Sequence, residues 1–113
     1  MEKIQTILSL LGTESQSVEP SWQAYRGEVR KLLQGQDFLR LGHCIQGKQW
    51  HLVMSNSARL KVRCGELGIT CFDNYLRGIR DAARRQDSAE ALQIMGMITA
   101  KRVQLRNLLA EDE

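Results

Sequence analysis

The residue types that could carry catalysis or bind a metal are scarce in this chain and poorly spaced for either task. It has 2 histidines and 3 cysteines, and of these only His43 and Cys44 are neighbours. Adjacent side chains on a helix point about 100° apart, so this pair cannot form the hydrogen bond that activates a thiol. The spacing of Cys44, Cys64 and Cys71 matches no metal motif and favours buried, free thiols in a reducing compartment.

Motifs that bind phosphate or present a nucleophile are also absent from the sequence. Neither G-x-x-x-x-G-K-[ST] nor G-x-G-x-x-G occurs, and there is no G-x-S-x-G turn. We therefore predict that the protein is not an enzyme and binds no metal or cofactor.

A group of arginines with helical spacing stands out among the charged residues. Its members are Arg77, Arg80, Arg84 and Arg85. This face predicts either a solvated surface, partly paired with Asp73 and Asp81, or a docking strip for an anionic partner. Nucleic acid is a minor alternative, because the net charge is only +3 and no aromatic residues interleave the arginines.

The elements that must position these residues are helices, since apolar residues recur at helical intervals along the whole chain. Pro20 suits the first turn of the second helix, and Gly35 marks a kink or break in it. The predicted helices cover about 2–11, 20–45 and 49–67, a fourth begins near Thr70 and carries the four arginines, and a fifth begins near Asp87. Short connections between them predict an all-α fold. We expect an up-down antiparallel four-helix bundle over 21–110 with a short extra N-terminal helix, in a single domain 1–113.

Polar residues at the expected helix starts predict how three of these helices begin. Asp37 can restart the second helix as an N-cap after the break. Thr70 followed by Asp73, and Asp87 followed by Glu90, have the spacing of capping boxes.

The inward faces follow from the same periodicity. The helix over 49–67 is predicted to bury Trp50, Val53, Leu60, Cys64 and Leu67. The last helix is predicted to bury Leu92, Met95, Ile98, Leu105 and Leu109.

The stretch from Trp50 to Asp87 resembles the heart of a histidine phosphotransfer (Hpt) domain. In that family a helix carries Ala-His-x-Leu-Lys-Gly followed by small residues, ends at a Leu-Gly, and is followed by an amphipathic helix. Leu60 and Lys61 match the Leu-Lys, and the Leu-Gly at 67–68 has the family's distance from them. The sequence 82–84 and Asp87 stand where the family's following helix ends. The resemblance implies a helical bundle of two-component signalling.

The departures from the family pattern lie at the reactive position itself. Ala58 occupies the place of the phosphoacceptor histidine, and a methyl group cannot form a phosphoramidate. Val62 replaces the glycine that leaves room for the partner's aspartate, and Arg63 replaces the first small residue. The resemblance therefore implies a degenerate member that has lost both the acceptor and access to it. His51 lies on a similar face about two turns away, roughly 10 Å along the axis, and is a poor substitute.

A second apolar stripe surrounds Ala58 on this helix. At about 100° per residue, Met54, Val62 and Gly65 lie within about 60° of Ala58, as do His51 and Lys61, whereas the core stripe is centred about 140° away. The predicted partner-binding residues are Met54, Ala58, Arg59, Lys61, Val62, Gly65 and His51, and the predicted anionic docking residues are Arg77, Arg80 and Arg84. The stripe is either covered, by the N-terminal helix or by a second copy in a homodimer, or exposed as a docking surface.

Composition narrows the remaining alternatives. The 113 residues are 42% hydrophobic and 26% charged, which is typical of a globular protein. With no transmembrane stretch and no signal-peptide pattern, the prediction is a cytoplasmic, bacterial-type protein without membrane contact. We expect a non-catalytic regulatory module that docks a receiver or kinase domain without passing phosphate. The alternatives are a small helical adaptor or chaperone of a secretion or regulatory complex, and a nucleic-acid-associated regulator.

Overall fold

The computed structural model describes residues 2–13 and 22–111, and every regular element in these ranges is an α-helix. The helices are α1 (Glu2–Leu11), α2 (Trp22–Gln34), α3 (Gln36–Gln46), α4 (Trp50–Glu66), α5 (Asp73–Arg84) and α6 (Ser88–Glu111). The all-α prediction is confirmed for these residues. The predicted helix start at Pro20 lies outside the described residues.

Four of the helices end in the same hydrogen-bonded turn. After α4, the Ile69 amide donates to the Cys64 carbonyl at 2.9 Å, and the Gly68 amide donates to the Gly65 carbonyl at 3.0 Å. This is the Schellman pattern, which needs a left-handed residue directly after the helix. Gly12 and Gly68 fill that position after α1 and α4 with φ of 77° and 72°. Non-glycine residues fill it after α3 and α5, namely Lys48 and Gln86, both at φ 55°.

The break between α2 and α3 falls at Gly35, where the second helix was expected to kink or break. A Cβ at Gly35 would stand 3.0 Å from the Lys31 carbonyl oxygen, so a larger residue would be crowded at this turn. The break leaves the Leu33 carbonyl without a helical partner, and Arg102 of α6 donates to it from Nε at 3.1 Å and from Nη2 at 2.5 Å. The same guanidinium lies 4.5 Å above the Phe38 ring. Arg102 thus ties α6 to the α2–α3 junction.

Two of the three predicted helix starts are wrong. Gly35, and not Asp37, is the N-cap of α3, and Asp37 lies in the first turn, where it is buried. Thr70 does not cap α5, whose N-cap is Phe72. The Thr70 hydroxyl instead donates to the Gly12 carbonyl at 3.0 Å. In both cases a partner distant in sequence takes the side chain away from the local cap.

The third predicted start is confirmed in part. The Glu90 amide donates to the Asp87 carboxylate at 3.1 Å, so Asp87 does cap α6. The Glu90 side chain does not return to the cap, because it pairs with Arg85.

Helices α3, α4, α5 and α6 pack in a ring in which each contacts the next and α6 also contacts α3. The centre of the ring contains Phe38, Leu60, Phe72, Leu76 and Ile98, all fully buried. Phe38 and Phe72 meet edge to face with their centroids 5.3 Å apart. Helices α1 and α2 pack mainly against α6.

The predicted core is confirmed for Val53, Leu60 and Cys64 of α4 and is wrong for one residue of α6. Leu92 is 44% exposed, and Ala91 is buried in its place. Trp50 and Leu67 are only half-buried.

The end of α1 is tied to the α4–α5 turn by a group of polar contacts. The Tyr25 hydroxyl donates to the Leu67 carbonyl at 2.7 Å, and Thr13 Oγ1 lies 2.9 Å from that hydroxyl. The backbone amides of Thr70 and of Cys71 each donate to the Leu11 carbonyl. Burial raises the pKa of Tyr25. This end of the molecule therefore holds α1, α2 and the α4–α5 turn in one arrangement.

Among the described helices, none combines the length and the apolar character that a membrane span needs.

Candidate protein-binding site

The second apolar stripe of α4 lies at the surface of the molecule. Val62 is 63% exposed, more than any other large hydrophobic side chain in the described ranges. Gly65 is also exposed, and a Cβ placed on it would meet no atom within 4 Å. Met54 and Ala58 are half-buried, at the edge where the stripe meets the core. The stripe is therefore open to solvent at Val62 and Gly65 and partly covered at Met54 and Ala58.

The N-terminal helix does not cover this strip. Its main contact is with α6, and its buried residues Ile7, Leu8 and Leu11 belong to the core. The hypothesis that α1 shields the stripe around Ala58 is therefore wrong for the exposed residues Val62 and Gly65. Within one copy of the described chain, the stripe faces outward.

The charges around the strip are basic. Arg59, Lys61 and His51 are all exposed, and α4 has no acidic residue before Glu66. His51 stands on the second residue of α4, seven residues before Ala58. His51 therefore lies on a similar face of α4 to Ala58, about two turns nearer the start of the helix.

Arg63 turns away from this strip. It pairs with the buried carboxylate of Asp37 on α3, which also lies 3.7 Å from Arg40 Nη1. Next to it along the same side of α4, Asn56 Nδ2 donates to Cys44 Sγ at 3.4 Å. Arg63 thus joins α3 and α4, and it adds no bulk to the strip beside Ala58. The sequence held no local signal for this pair, because its members are 26 residues apart.

The predicted arginine strip of α5 divides between two neighbours. Gly78 faces α6, since a Cβ there would lie 3.0 Å from Ile94 Cδ1. Arg80 is about 200° further round the helix, so it lies on the flank that borders α4. Its Nε is buried without a hydrogen-bond partner. Arg84 shares that flank and pairs with Asp81 at 2.9 Å.

The other two arginines of α5 are engaged locally. Arg77 donates to the Asn74 side chain. Arg85 lies at the end of α5 and pairs with Glu90 of α6 at 2.5 Å. Of the two aspartates expected to pair with these arginines, Asp73 and Asp81, Asp81 forms an ion pair, and its partner is Arg84. Arg80 and Arg84 lie on the side of α5 away from Gly78, the residue that faces α6.

The three thiols are wholly or partly removed from solvent. Cys44 and Cys64 are buried, Cys71 is half-buried, and all three are free. Burial raises the pKa of Cys64 to about 12 and that of Cys71 to about 11, so both are protonated near neutral pH. Among the described residues no three His, Cys, Asp or Glu side chains are grouped so that they could hold a metal ion.

No protein-family model, curated protein or solved structure matches this chain. The site is therefore interpreted from its own geometry and from the residue pattern around Ala58.

Proposed function

We propose that this protein is a pseudo-phosphotransfer module that docks a receiver or kinase domain through α4 and passes no phosphate. The proposal includes the finer fold assignment, an Hpt-like up-down antiparallel four-helix bundle over 21–110 with a short extra N-terminal helix, to which α3, α4, α5 and α6 contribute the ring. The stretch from Trp50 to Asp87, which resembles the Hpt family, supports that assignment, because the Leu-Gly at 67–68 stands at the end of α4.

The observation that carries the proposal is the exposed Val62, one turn from Ala58, in a basic surround. An apolar strip with a charged rim is typical of protein interfaces, where the centre is desolvated and the rim stays polar. Phosphoryl sites of receiver domains are acidic. Lys61 and Arg59 beside the strip, with Arg80 and Arg84 across the α4–α5 boundary, supply the complementary charge.

Ala58 explains why docking would occur without transfer. Its methyl group has no lone pair to attack a phosphoaspartate. A module of this kind would occupy the partner's phosphoryl site and compete with a true phosphotransfer domain.

Binding to purified receiver and kinase domains from the host tests the proposal, with titration calorimetry as the measurement. We expect Val62→Glu to weaken binding at least about tenfold, since a charge would be desolvated at the centre of the interface. Leu39→Glu is the matched control, because Leu39 is an exposed leucine of α3 at 48%. Equal binding by a folded Val62→Glu variant, or no binding to any of these domains by the natural chain, would contradict the proposal.

A second experiment tests the residue correspondence on which the proposal depends. The double variant Ala58→His with Val62→Gly restores the family's acceptor and the space beside it. Incubated with a labelled phospho-receiver, it should gain an acid-labile label that the natural chain does not take up. Label on His51 of the natural chain would show instead that phosphate transfer has been retained.

A further inference from the structure

A cleft between α2 and α6 is lined by side chains that can bind an anion. It has a volume of about 270 Å³. The described residues that line it are Arg30, Gln34, Val103, Arg106, Asn107 and Ala110. Arg30 and Gln34 are one turn apart on α2, and the other four recur at helical intervals on α6. The packing of α2 on α6 therefore brings two guanidinium groups and two side-chain amides to one cleft.

Positive charge is concentrated on this side of α6. None of the described residues that line the cleft is acidic. Arg106 is exposed, and in the described part of the chain it has no hydrogen-bond or ion-pair partner. One turn earlier, burial lowers the pKa of Arg102, and the positive charge of Arg106 lowers it further. These two guanidinium groups thus repel each other, and an anion in the cleft would relieve that repulsion.

The negative ends of two helices also lie near the cleft, and they oppose an anion only in part. Helix α2 ends at Gln34, and α6 ends at Glu111, just beyond Ala110. A helix end carries about half an elementary charge, which is less than the charge of one guanidinium group. At the end of α2, Arg102 already binds the Leu33 carbonyl. Glu111 is exposed and is not part of the described lining. The two arginines of the cleft therefore outweigh the helix ends.

We propose that this cleft binds a small organic phosphate monoester, with the phosphate between Arg30 and Arg106 and the organic group against Val103. A phosphate monoester carries roughly two negative charges near neutral pH and has three terminal oxygens. It can therefore accept hydrogen bonds from both guanidinium groups at once, whereas a carboxylate has a single charge and fewer oxygens. The side-chain amides of Gln34 and Asn107 can donate to the remaining oxygen.

The size and the apolar wall of the cleft narrow the class of ligand. Val103 is 48% exposed, and Ala110 is exposed on the same side of α6. Contact with an organic group would remove part of this apolar surface from water. The volume of about 270 Å³ is just below the roughly 300–1,000 Å³ of sites for drug-sized ligands. The cleft therefore suits a phosphate that carries an organic group about the size of a single ring.

The cleft is separate from the apolar strip on α4 around Ala58. Helix α4 packs mainly against α3 and α5, whereas the cleft lies between α2 and α6. Ligand binding in the cleft therefore does not depend on the docking function proposed for α4, and either could fail without the other.

Titration calorimetry of the full chain with phenyl phosphate tests the cleft. We expect saturable binding by the natural chain and at least about tenfold weaker binding by Arg106→Gln, which loses one charge and its paired donors. Arg30→Gln should weaken binding similarly, because it removes the guanidinium of the opposite wall. Lys48→Gln is the matched control, since it removes one charge from an exposed residue after α3, and it should change the affinity less than about twofold. Circular dichroism confirms that each variant is folded.

The apolar wall is tested separately with Val103→Ser. We expect this variant to bind phenyl phosphate less tightly than the natural chain does and to bind inorganic phosphate equally, because only the organic group contacts Val103. Unchanged binding of phenyl phosphate by Val103→Ser would overturn the assignment of an organic ligand.

The phosphate site itself is overturned if the natural chain shows no saturable binding of phenyl phosphate, or if Arg106→Gln binds it as tightly. An equal loss of affinity in Lys48→Gln would also overturn it, because the net charge and not the cleft would then hold the ligand. Vesicles containing phosphatidic acid present the same group at a membrane. Binding to such vesicles without binding to phenyl phosphate would assign the cleft to a lipid headgroup and so contradict a small soluble ligand.

Discussion

Asp37 on α3 is 8% exposed, and its carboxylate accepts a hydrogen bond from the guanidinium of Arg63 on α4. The pair therefore joins two neighbouring helices of the ring. From the next turn of α3, Arg40 Nη1 lies 3.7 Å from Oδ1 of the same carboxylate. Asp37 is the only buried acidic residue among those described. Its charge therefore depends on these two arginines for compensation.

We expect Arg63→Ala to lower the free energy of unfolding by about 1–3 kcal/mol, because it leaves a buried carboxylate largely unpaired. Urea unfolding followed by circular dichroism measures the change. Arg59→Ala on the same helix is the control, and as a surface change it should cost less than about 0.5 kcal/mol. If both variants unfold at the same urea concentration, the Arg63–Asp37 pair contributes no stability.

The left-handed residue after α5 offers a stabilising substitution. Gln86 has φ 55°, and an L side chain in that conformation costs roughly 1–2 kcal/mol. Gln86→Gly removes this cost but gains freedom in the unfolded chain, so we expect a net stabilisation of about 0.5–1 kcal/mol. The expected signature is a higher urea midpoint with an unchanged slope.

Gln46→Gly provides the matched control for that change. Gln46 is exposed and lies within the last turn of α3, where glycine carries only its entropic cost. This variant should be less stable than the natural chain. A destabilised Gln86→Gly protein would show that the side chain of Gln86 has a role beyond its backbone conformation.

The buried thiol of Cys64 makes the free energy of unfolding vary with pH in the alkaline range. Burial raises its pKa from 9.0 to about 12 in the folded protein. The neutral thiol is therefore favoured by folding, and this contribution is complete below pH 9 and is lost as the pH rises towards 12. We expect the free energy of unfolding to fall between these pH values, and to fall less steeply in Cys64→Ala.

Urea titrations at several pH values check this, with the pH 7 difference between the two proteins giving the packing cost alone. Cys64→Ala should be less stable at pH 7, because it leaves a cavity in the core. Parallel pH curves for the two proteins would show that folding does not raise the pKa of Cys64.

The helix positions could be predicted from the sequence because the signals that set them are local. Gly12 follows α1, Gly35 separates α2 from α3, and Gly68 follows α4, as the pattern predicts. The starts at Asp37 and Thr70 could not be predicted, because each of these side chains binds a distant group. Thr70 donates to a carbonyl 58 residues away in sequence.

The apolar stripe of α4 around Ala58 shows the same division. Periodicity alone places Met54, Ala58 and Val62 on one side of α4. It cannot say whether that side is covered, since the answer depends on where α1 packs. Likewise α6 has two apolar stripes one residue apart, and only the packing shows that Ala91 lies inside and Leu92 outside.

By itself, the sequence determined which segments are helical, which faces of each helix are apolar, and that Ala58 has no nucleophilic side chain. These properties depend on residues within one or two turns of each other and on side-chain type. The tertiary structure decided which apolar faces are buried, that Arg63 pairs with Asp37, and that Arg102 reaches the Leu33 carbonyl across 69 residues. Such contacts form only when several helices come together, because burial and charge pairing depend on neighbours that local spacing does not specify.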